Sequence, residues 1–455
     1  MAEVNKRELF EDMPIAKSLA TMAIPTIISQ LINLIYNMVD AFFIGRTGNS
    51  YMMAATTLTL TLTMMSVAFS NLFGVGGGSL IARLLGAGRE EDTKTVSAYA
   101  GWGAVGLALL YALSMGLFLN PILRFLGASD ATIGYARQYT ILVIVIGAIP
   151  TILSLTLAHI LRNTGNATQA SMGLSGGGVL NMILDPLFMF VILPRGYEVI
   201  GAALATLISN ILACAYLLHA FHKTSLSLRP RDAMKISEAN RKSLFVVGVP
   251  SAILTGLFDV ANICVNMLSA AHSDLVLAGM GIVMKVERVP NAVNVGLCQG
   301  MLPIVAYNYA AGNKERMQKT IDTARLWGLS VSFVSIILFE IFARPLTHVF
   351  LSTKSQEAAI TTLAYAALFL RIRCIASPMQ FINYSSSFSM QAIGDGKSTM
   401  LHAVVRELVF YIPFMFILDR LFGEVGLASA LVAGEGCGAI FAMYLLKKSV
   451  AKARG

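Results

Sequence analysis

About twelve apolar runs, each long enough to cross the hydrocarbon core of a bilayer as a helix of about 20 residues, follow one another along this chain. They lie roughly at 18–44, 52–82, 96–119, 134–160, 168–193, 198–220, 244–270, 275–305, 320–342, 358–389, 398–418 and 425–446. Charge and turn residues are confined to the short stretches between them. Only 13% of the 455 residues are charged, about half the usual ~25% of soluble domains, so a water-facing surface cannot be built. The expected fold is an all-α integral membrane protein of twelve transmembrane helices. Pro25, the Gly74–Gly78 run, Pro150, Gly176–Gly178, Pro250 and Pro378 interrupt several runs. Membrane helices tolerate such breaks where a neighbour or cavity re-satisfies the backbone, and they are expected to mark a site.

Lysine and arginine set the orientation. With the N-terminus inside, Lys6, Arg7, Lys17, Arg83, Arg89, Lys94, Arg162, the cluster from Lys223 to Lys242, Lys314, Arg316, Lys319, Lys397 and the terminal Lys447, Lys448, Lys452 and Arg454 all face the cytoplasm. The other side keeps Arg46, Arg124, Arg195, Arg344, Lys354 and Arg420. The net charge of +9 is therefore chiefly a topology signal. No basic run is interleaved with stacking aromatics, so no nucleic-acid partner is expected.

The longest polar connection, residues 222–242, lies near mid-chain and reads as a linker between halves. Ala23-Ile24-Pro25 recurs as Gly248-Val249-Pro250, Asn37 as Asn262, Gly165-Asn166-Ala167 as Gly394-Asp395-Gly396, and Gly201 to Ala205 as Gly426 to Ala430. The matched positions stand 225 to 229 residues apart. Two six-helix lobes are expected, 1–222 and 243–455, joined by a cytoplasmic linker 223–242. An even number of spans in each gives both copies the same orientation, related by a pseudo-two-fold axis along the membrane normal.

Polar groups within the spans are the candidate machinery, because an ionisable residue at membrane depth is costly. Asn33, Tyr36, Asn37 and Asp40 fall at i, i+3, i+4 and i+7 on span 1, one polar stripe. Span 5 places Asn181 and Asp185 on one face, with Pro186 following and Gly176–Gly178 a turn earlier to permit close helix approach. If Asp40 and Asp185 face each other in an apolar setting, both cannot stay ionised, which makes a proton switch. Asp259, Asn262 and Asn266 form a related stripe on span 7, where Val265 stands at the position matching Asp40. Lys285, Glu287, Arg288, Arg371, Arg373, Arg406 and Glu407 add intramembrane charge to the second lobe, and ion pairing among them is expected.

Enzyme readings find little support. The six histidines are dispersed, and no metal site is expected. Gly74 to Ser79 lacks the lysine of a phosphate-binding loop, so no ATP site is visible. The five cysteines (Cys214, Cys264, Cys298, Cys374, Cys437) stand singly in apolar runs and read as small buried hydrophobes. The mixed-charge N-terminus reads as retained, not as a removed signal peptide.

The span-1 pattern from Pro25 to Asp40 followed by AFFIGRTG, the segment ARLLGAGRE and its counterpart GMLPIVAYNYAAGNKE, and NMILDPLF followed by IGAALAT resemble the multidrug and toxic compound extrusion (MATE) transporters, over essentially the whole chain. The resemblance is strongest to the bacterial DinF-type branch. It implies a cation-coupling site in the N-terminal lobe at Tyr36, Asp40, Asn181, Asp185 and Thr206; the polar stripes and charges at Asn33, Asn37, Asp259, Asn262, Glu287 and Arg288 are the candidate substrate-cavity residues. It further implies efflux of amphipathic organic cations by proton or Na⁺ antiport, no cofactor, lipid contacts, and a monomer in the bacterial inner membrane. The NorM-type branch uses acids on spans 7 and 10, and here span 10 offers Arg371 and Arg373. A lipid-linked oligosaccharide flippase of the same superfamily is the alternative, since the intramembrane cations suit an anionic cargo.

Overall fold

The computed structural model describes residues 7–349 and 356–454. Lys6 and Lys354, two of the orientation charges, lie outside the described residues. The described residues form helices joined by short turns. Spans 1 to 3 are Ile15–Arg46, Ser50–Gly86 and Glu90–Phe125. Span 4 is bent by 51° between Ile133–Ile146 and Ala148–Asn163, and spans 5 and 6 are Ala167–Ile192 and Glu198–His222. The second half repeats this plan. Spans 7 to 9 are Glu238–His272, Asp274–Ala310 and Lys314–His348, and span 10 bends by 50° between Ala358–Cys374 and Ser377–Ile393.

The last helical stretch, Gly396–Lys452, is 57 residues long. At about 1.5 Å per residue it is more than twice as long as a bilayer core is thick. It is two spans, because at Gly423 the backbone turns to φ 62, ψ −146, a conformation available only to glycine. The chain then runs back on itself: Gly426 packs on Leu418, Gly434 on Tyr411 and Gly438 on Arg406. Span 11 (396–422) and span 12 (424–452) complete the expected twelve.

Backbone singularities follow the repeat register. Positive-φ glycines occur at Gly88 and Gly312, at Gly165 and Gly394, and at Gly196 and Gly423, in pairs 224, 229 and 227 residues apart. Phe118 and Phe342, also 224 residues apart, both break the helical geometry of their spans. The two bends of about 50° fall on the corresponding spans 4 and 10.

The lobes meet on the side that carries both chain ends. Gly300 faces the backbone of Ala23, Gly296 that of Ile27, and Gly76 that of Leu244 and Gly248, each so closely that an added Cβ would meet backbone atoms at 2.5 to 2.7 Å. Arg83 donates from span 2 to the carbonyls of Gln391 (3.3 Å) and Ala392 (3.4 Å), which end span 10, and to Ser243 of span 7. The Gly74–Gly78 run, expected as a break, lies inside a continuous helix. Its glycines form a packing seam, with Gly76 against span 7 and Gly78 against Asn163. Pro25 and Pro250 are likewise carried within continuous helices. The N-terminal segment straps the same face: Leu9 and Phe10 are buried, Phe10 stacks on Tyr307 at 4.9 Å, and Arg316 donates to the carbonyls of Phe10 (2.7 Å) and Met13 (2.6 Å). Toward the far side the interlobe ties reach Gln30–Gln299 (3.1 Å) and Asn71–Thr255 (3.0 Å).

Candidate functional site

Asp40 stands six residues before the end of span 1 and Asp185 seven before the end of span 5. At about 1.5 Å per residue, both therefore lie about 10 Å in from the far side of the membrane. Proline and glycine build this local structure. Pro186 lacks an N–H, so span 5 loosens after Asp185 into the wide turns of Leu187–Ile192. Two turns earlier, Gly178 lets span 1 approach: a Cβ there would sit 3.2 Å from Tyr36 Cδ1 and 3.3 Å from Ile32 Cγ2. Gly177 packs on Ala213 of span 6, whereas Gly176 has nothing within 4 Å. Close approach thus belongs to two of the three glycines.

The side chains converge on the Asp185 carboxylate, which is fully buried. With each end of the Asn181 amide placed against its complement, the nitrogen donates to Asp185 Oδ2 at 3.1 Å and the oxygen accepts from Thr206 N at 3.2 Å. Thr206 Oγ1 is itself anchored on the Ala202 carbonyl at 3.0 Å. Asp40 and Tyr36 lie within electrostatic reach of Asp185. The Asp40 Oδ1 atom is buried with no hydrogen-bond partner. A buried carboxylate oxygen left so is costly unless a proton or cation neutralises the group. All five residues of the expected coupling site are thus gathered in one lobe.

Tyr139 of span 4 was not among the expected residues. It is buried beside Thr206 and within reach of Asp40, Asp185 and Tyr36. Its sequence neighbourhood, ARQYTILVIV, carries no polar stripe, so only the fold reveals it. The span-1 stripe divides. Tyr36 and Asp40 turn toward spans 4 to 6, while Asn33 and Asn37 are exposed and bond each other, Asn37 donating to the Asn33 carbonyl at 2.7 Å.

The second lobe is arranged differently. Val265, opposite Asp40 in the repeat, is a buried packing residue. Asp259 and Asn262 are half-buried, and Arg288 is exposed within electrostatic reach of Asp259. The expected ion pairing is present: Arg373 holds Glu287 in a two-pronged bridge (3.0 and 2.9 Å), and Arg371 lies 3.7 Å from Glu340. Arg406 touches Glu407 at 3.5 Å, but its main partner is Glu435 of span 12, at 3.0 and 2.6 Å. Glu435 escaped the sequence reading although its signal was present, a carboxylate between Gly434, Gly436 and Gly438 in an apolar run. Lys285 is exposed. Among the described residues the five cysteines are free and no group of three metal-binding side chains occurs.

Comparison with known proteins agrees with this architecture. The family model MatE matches the chain twice, over residues 25–192 and 250–417. The multidrug export protein MepA of Staphylococcus haemolyticus strain JCSC1435 is 31% identical over 444 residues, 96% of this chain and 94% of that protein. MepA of Staphylococcus saprophyticus strain ATCC 15305 is 29% identical over 444 residues, 96% of this chain and 95% of that protein. A solved structure described as the outward-facing conformation of a multidrug resistance MATE family transporter superposes with a TM-score of 0.91 at 21% identity, covering 100% of both chains. A MATE in complex with MaL6 gives 0.92 at 21% identity, over 99% of both chains.

Proposed function

The chain belongs to the MatE family and is a multi-pass membrane transporter, not an enzyme, and from that membership we propose that it exports amphipathic organic cations, several drugs among them, in exchange for protons. The observation that carries this reading is the carboxylate pair of spans 1 and 5, Asp185 fully buried and one oxygen of Asp40 buried without a partner. Protons entering from the far side neutralise Asp40 and Asp185 and favour substrate release. Deprotonation toward the opposite side resets the cycle. Na⁺ is the second candidate ion, since Asp40, Asp185, Asn181 and Thr206 are all oxygen ligands suited to a hard cation. An N-lobe site of this kind favours the DinF-type branch, although the curated relatives above carry the name MepA.

With both termini in the cytoplasm of a bacterial cell and the lobes pressed together on that side, the arrangement is that of an outward-facing transporter. The first lobe (1–222), the linker (223–242) and the second lobe (243–455) are taken as the moving parts, in a monomer surrounded by lipid. Asn33, Asn37, Asp259, Asn262, Glu287 and Arg288 are the proposed cavity residues. The flippase alternative loses ground because Arg373 and Arg406, two of the intramembrane cations that suggested it, are neutralised by Glu287 and Glu435.

Efflux of a fluorescent cation from vesicles under an imposed pH or Na⁺ gradient tests the proposal. Asp40→Asn and Asp185→Asn should each lower gradient-driven transport to background while the protein still inserts, and Asp259→Asn should retain most of it. Transport that survives collapse of both gradients would overturn coupling. An indispensable Asp259 with a dispensable Asp185 would move the site to the other lobe. Saturable binding of anionic lipid-linked sugars dependent on Arg288, Arg371 or Arg373, with no effect on cationic dyes, would establish the flippase.

A further inference from the structure

A second buried charge cluster lies in the C-terminal lobe, away from the N-lobe carboxylates. It contains two guanidinium groups, Arg373 of span 10 and Arg406 of span 11. Three carboxyls face them: Glu287 of span 8, Glu407 of span 11 and Glu435 of span 12. Arg373 is committed to Glu287 by two hydrogen bonds, and Arg406 to Glu435 by two. Asn383 of span 10 adds a further donor to Glu435 at 2.6 Å, and His402 Nε2 meets Asn383 Oδ1 at 3.0 Å. Glu407 is the third carboxyl. Its only ion contact among the described residues is the shared Arg406, at 3.5 Å.

Glu407 is 2% exposed, and its Oε2 atom is buried without a hydrogen-bond partner. Arg406 and Glu407 are consecutive yet both buried, which a regular helix turning about 100° per residue disfavours. The wide turns of Val405–Tyr411 permit it. The other groups facing Glu407 are the Glu435 carboxyl of span 12, Tyr411 on its own span and Tyr384 of span 10. Tyr411 also faces Arg373 and, beyond it, Glu287. With every carboxyl ionised the cluster holds one negative charge more than its arginines supply. In a low-dielectric interior an unpaired anion is the costly element, and neutralising it removes that cost. A metal cation is disfavoured there because the guanidinium of Arg406 occupies one face of the carboxyl.

We propose that Glu407 is a proton-binding site of the C-terminal lobe, separate from the Asp40 and Asp185 pair. Its ligand is a single proton, held on the carboxyl that Arg406 cannot fully compensate. Tyr411 and the Arg373–Glu287 bridge form a polar route toward Glu287, the least buried carboxyl of the cluster.

Infrared difference spectroscopy on the full-length protein in lipid nanodiscs tests this. The background is Asp40→Asn with Asp185→Asn, and the spectra are taken between about pH 6 and about pH 9, where ordinary carboxyls near 4 are silent. A protonated-carboxyl carbonyl band, sensitive to deuteration and worth about one group, should persist in this double variant and vanish when Glu407→Gln is added. A band unchanged by Glu407→Gln overturns the proposal. So does the absence of any such band in the folded double variant, a result that does not require the triple variant to fold. Failure of the N-lobe reading shows elsewhere, as identical spectra of the wild type and the double variant.

Discussion

Gly300→Ala is the most direct probe of lobe closure. The added Cβ would lie 2.5 Å from Ala23 Cα, 2.7 Å from Ala23 N and 2.9 Å from Ala23 Cβ. Two of these atoms are backbone, so no side-chain rotation relieves the overlap. Restoring an ordinary contact near 3.4 Å requires spans 1 and 8 to part by about 1 Å, and overpacking of this kind costs about 1 to 3 kcal/mol. If the lobes separate here when the transporter opens to the opposite side, that cost falls on the closed state alone. The equilibrium then moves about 5- to 150-fold toward the open one. Gly281→Ala on the same span is the control, because nothing lies within 4 Å of a Cβ there. Spin labels on the exposed positions Glu91 and Glu315, at the starts of spans 3 and 9 in opposite lobes, report the separation by pulsed dipolar spectroscopy. Gly300→Ala should lengthen or broaden the distance distribution and Gly281→Ala should leave it unchanged. A Gly300→Ala distribution matching the wild type, with undiminished transport, would refute the argument.

The same labels should show a longer distance in Arg83→Ala, which loses the donors to the Gln391 and Ala392 carbonyls and to Ser243 that tie the lobes; an unchanged distance would make Arg83 a local packing residue. Gly423→Ala should destabilise by about 1 to 3 kcal/mol, lowering the thermal midpoint, because φ 62, ψ −146 excludes a side chain although the space around it is open. Glu11 is held below the ordinary carboxylate range by hydrogen bonds from Arg7 and Tyr307. A lowered folded-state pKa contributes stability that is present above the unfolded value and lost as pH falls through the folded one. The strap at residues 8–13 should therefore lose hydrogen-exchange protection only below about pH 4, and Glu11→Gln should remove that dependence.

Much of this protein is legible from residues alone, because a bilayer imposes a simple rule. Each span must satisfy its own backbone and present an apolar exterior, so span number and approximate bounds can be read from hydropathy. Duplication is legible for a similar reason: turns that need a positive-φ glycine recur in register. Asn181 and Asp185 share a face because helical spacing requires it, whatever surrounds them. Glu435 was within reach of the same reasoning, as a lone carboxylate inside an apolar span.

What depends on side chains from different spans was decided only by the tertiary structure. Spacing placed Asn33, Tyr36, Asn37 and Asp40 on one stripe. The packing of spans 5 and 6 against one edge of it separated half-buried Asp40, with one oxygen fully buried, from exposed Asn37. Tyr139 joins the site because the bent span 4 carries it there, and no local pattern encodes that bend. Gly74–Gly78 read as a break, yet it is a seam, since a glycine run inside a helix looks the same in sequence whether it frees the backbone or admits a neighbour. Arg406 chose Glu435 over adjacent Glu407 because a two-pronged bridge needs a carboxylate facing the guanidinium edge, a geometry set by the fold back at Gly423. Sequence determines what each helix must bury; only the packing of the helices determines which buried groups meet.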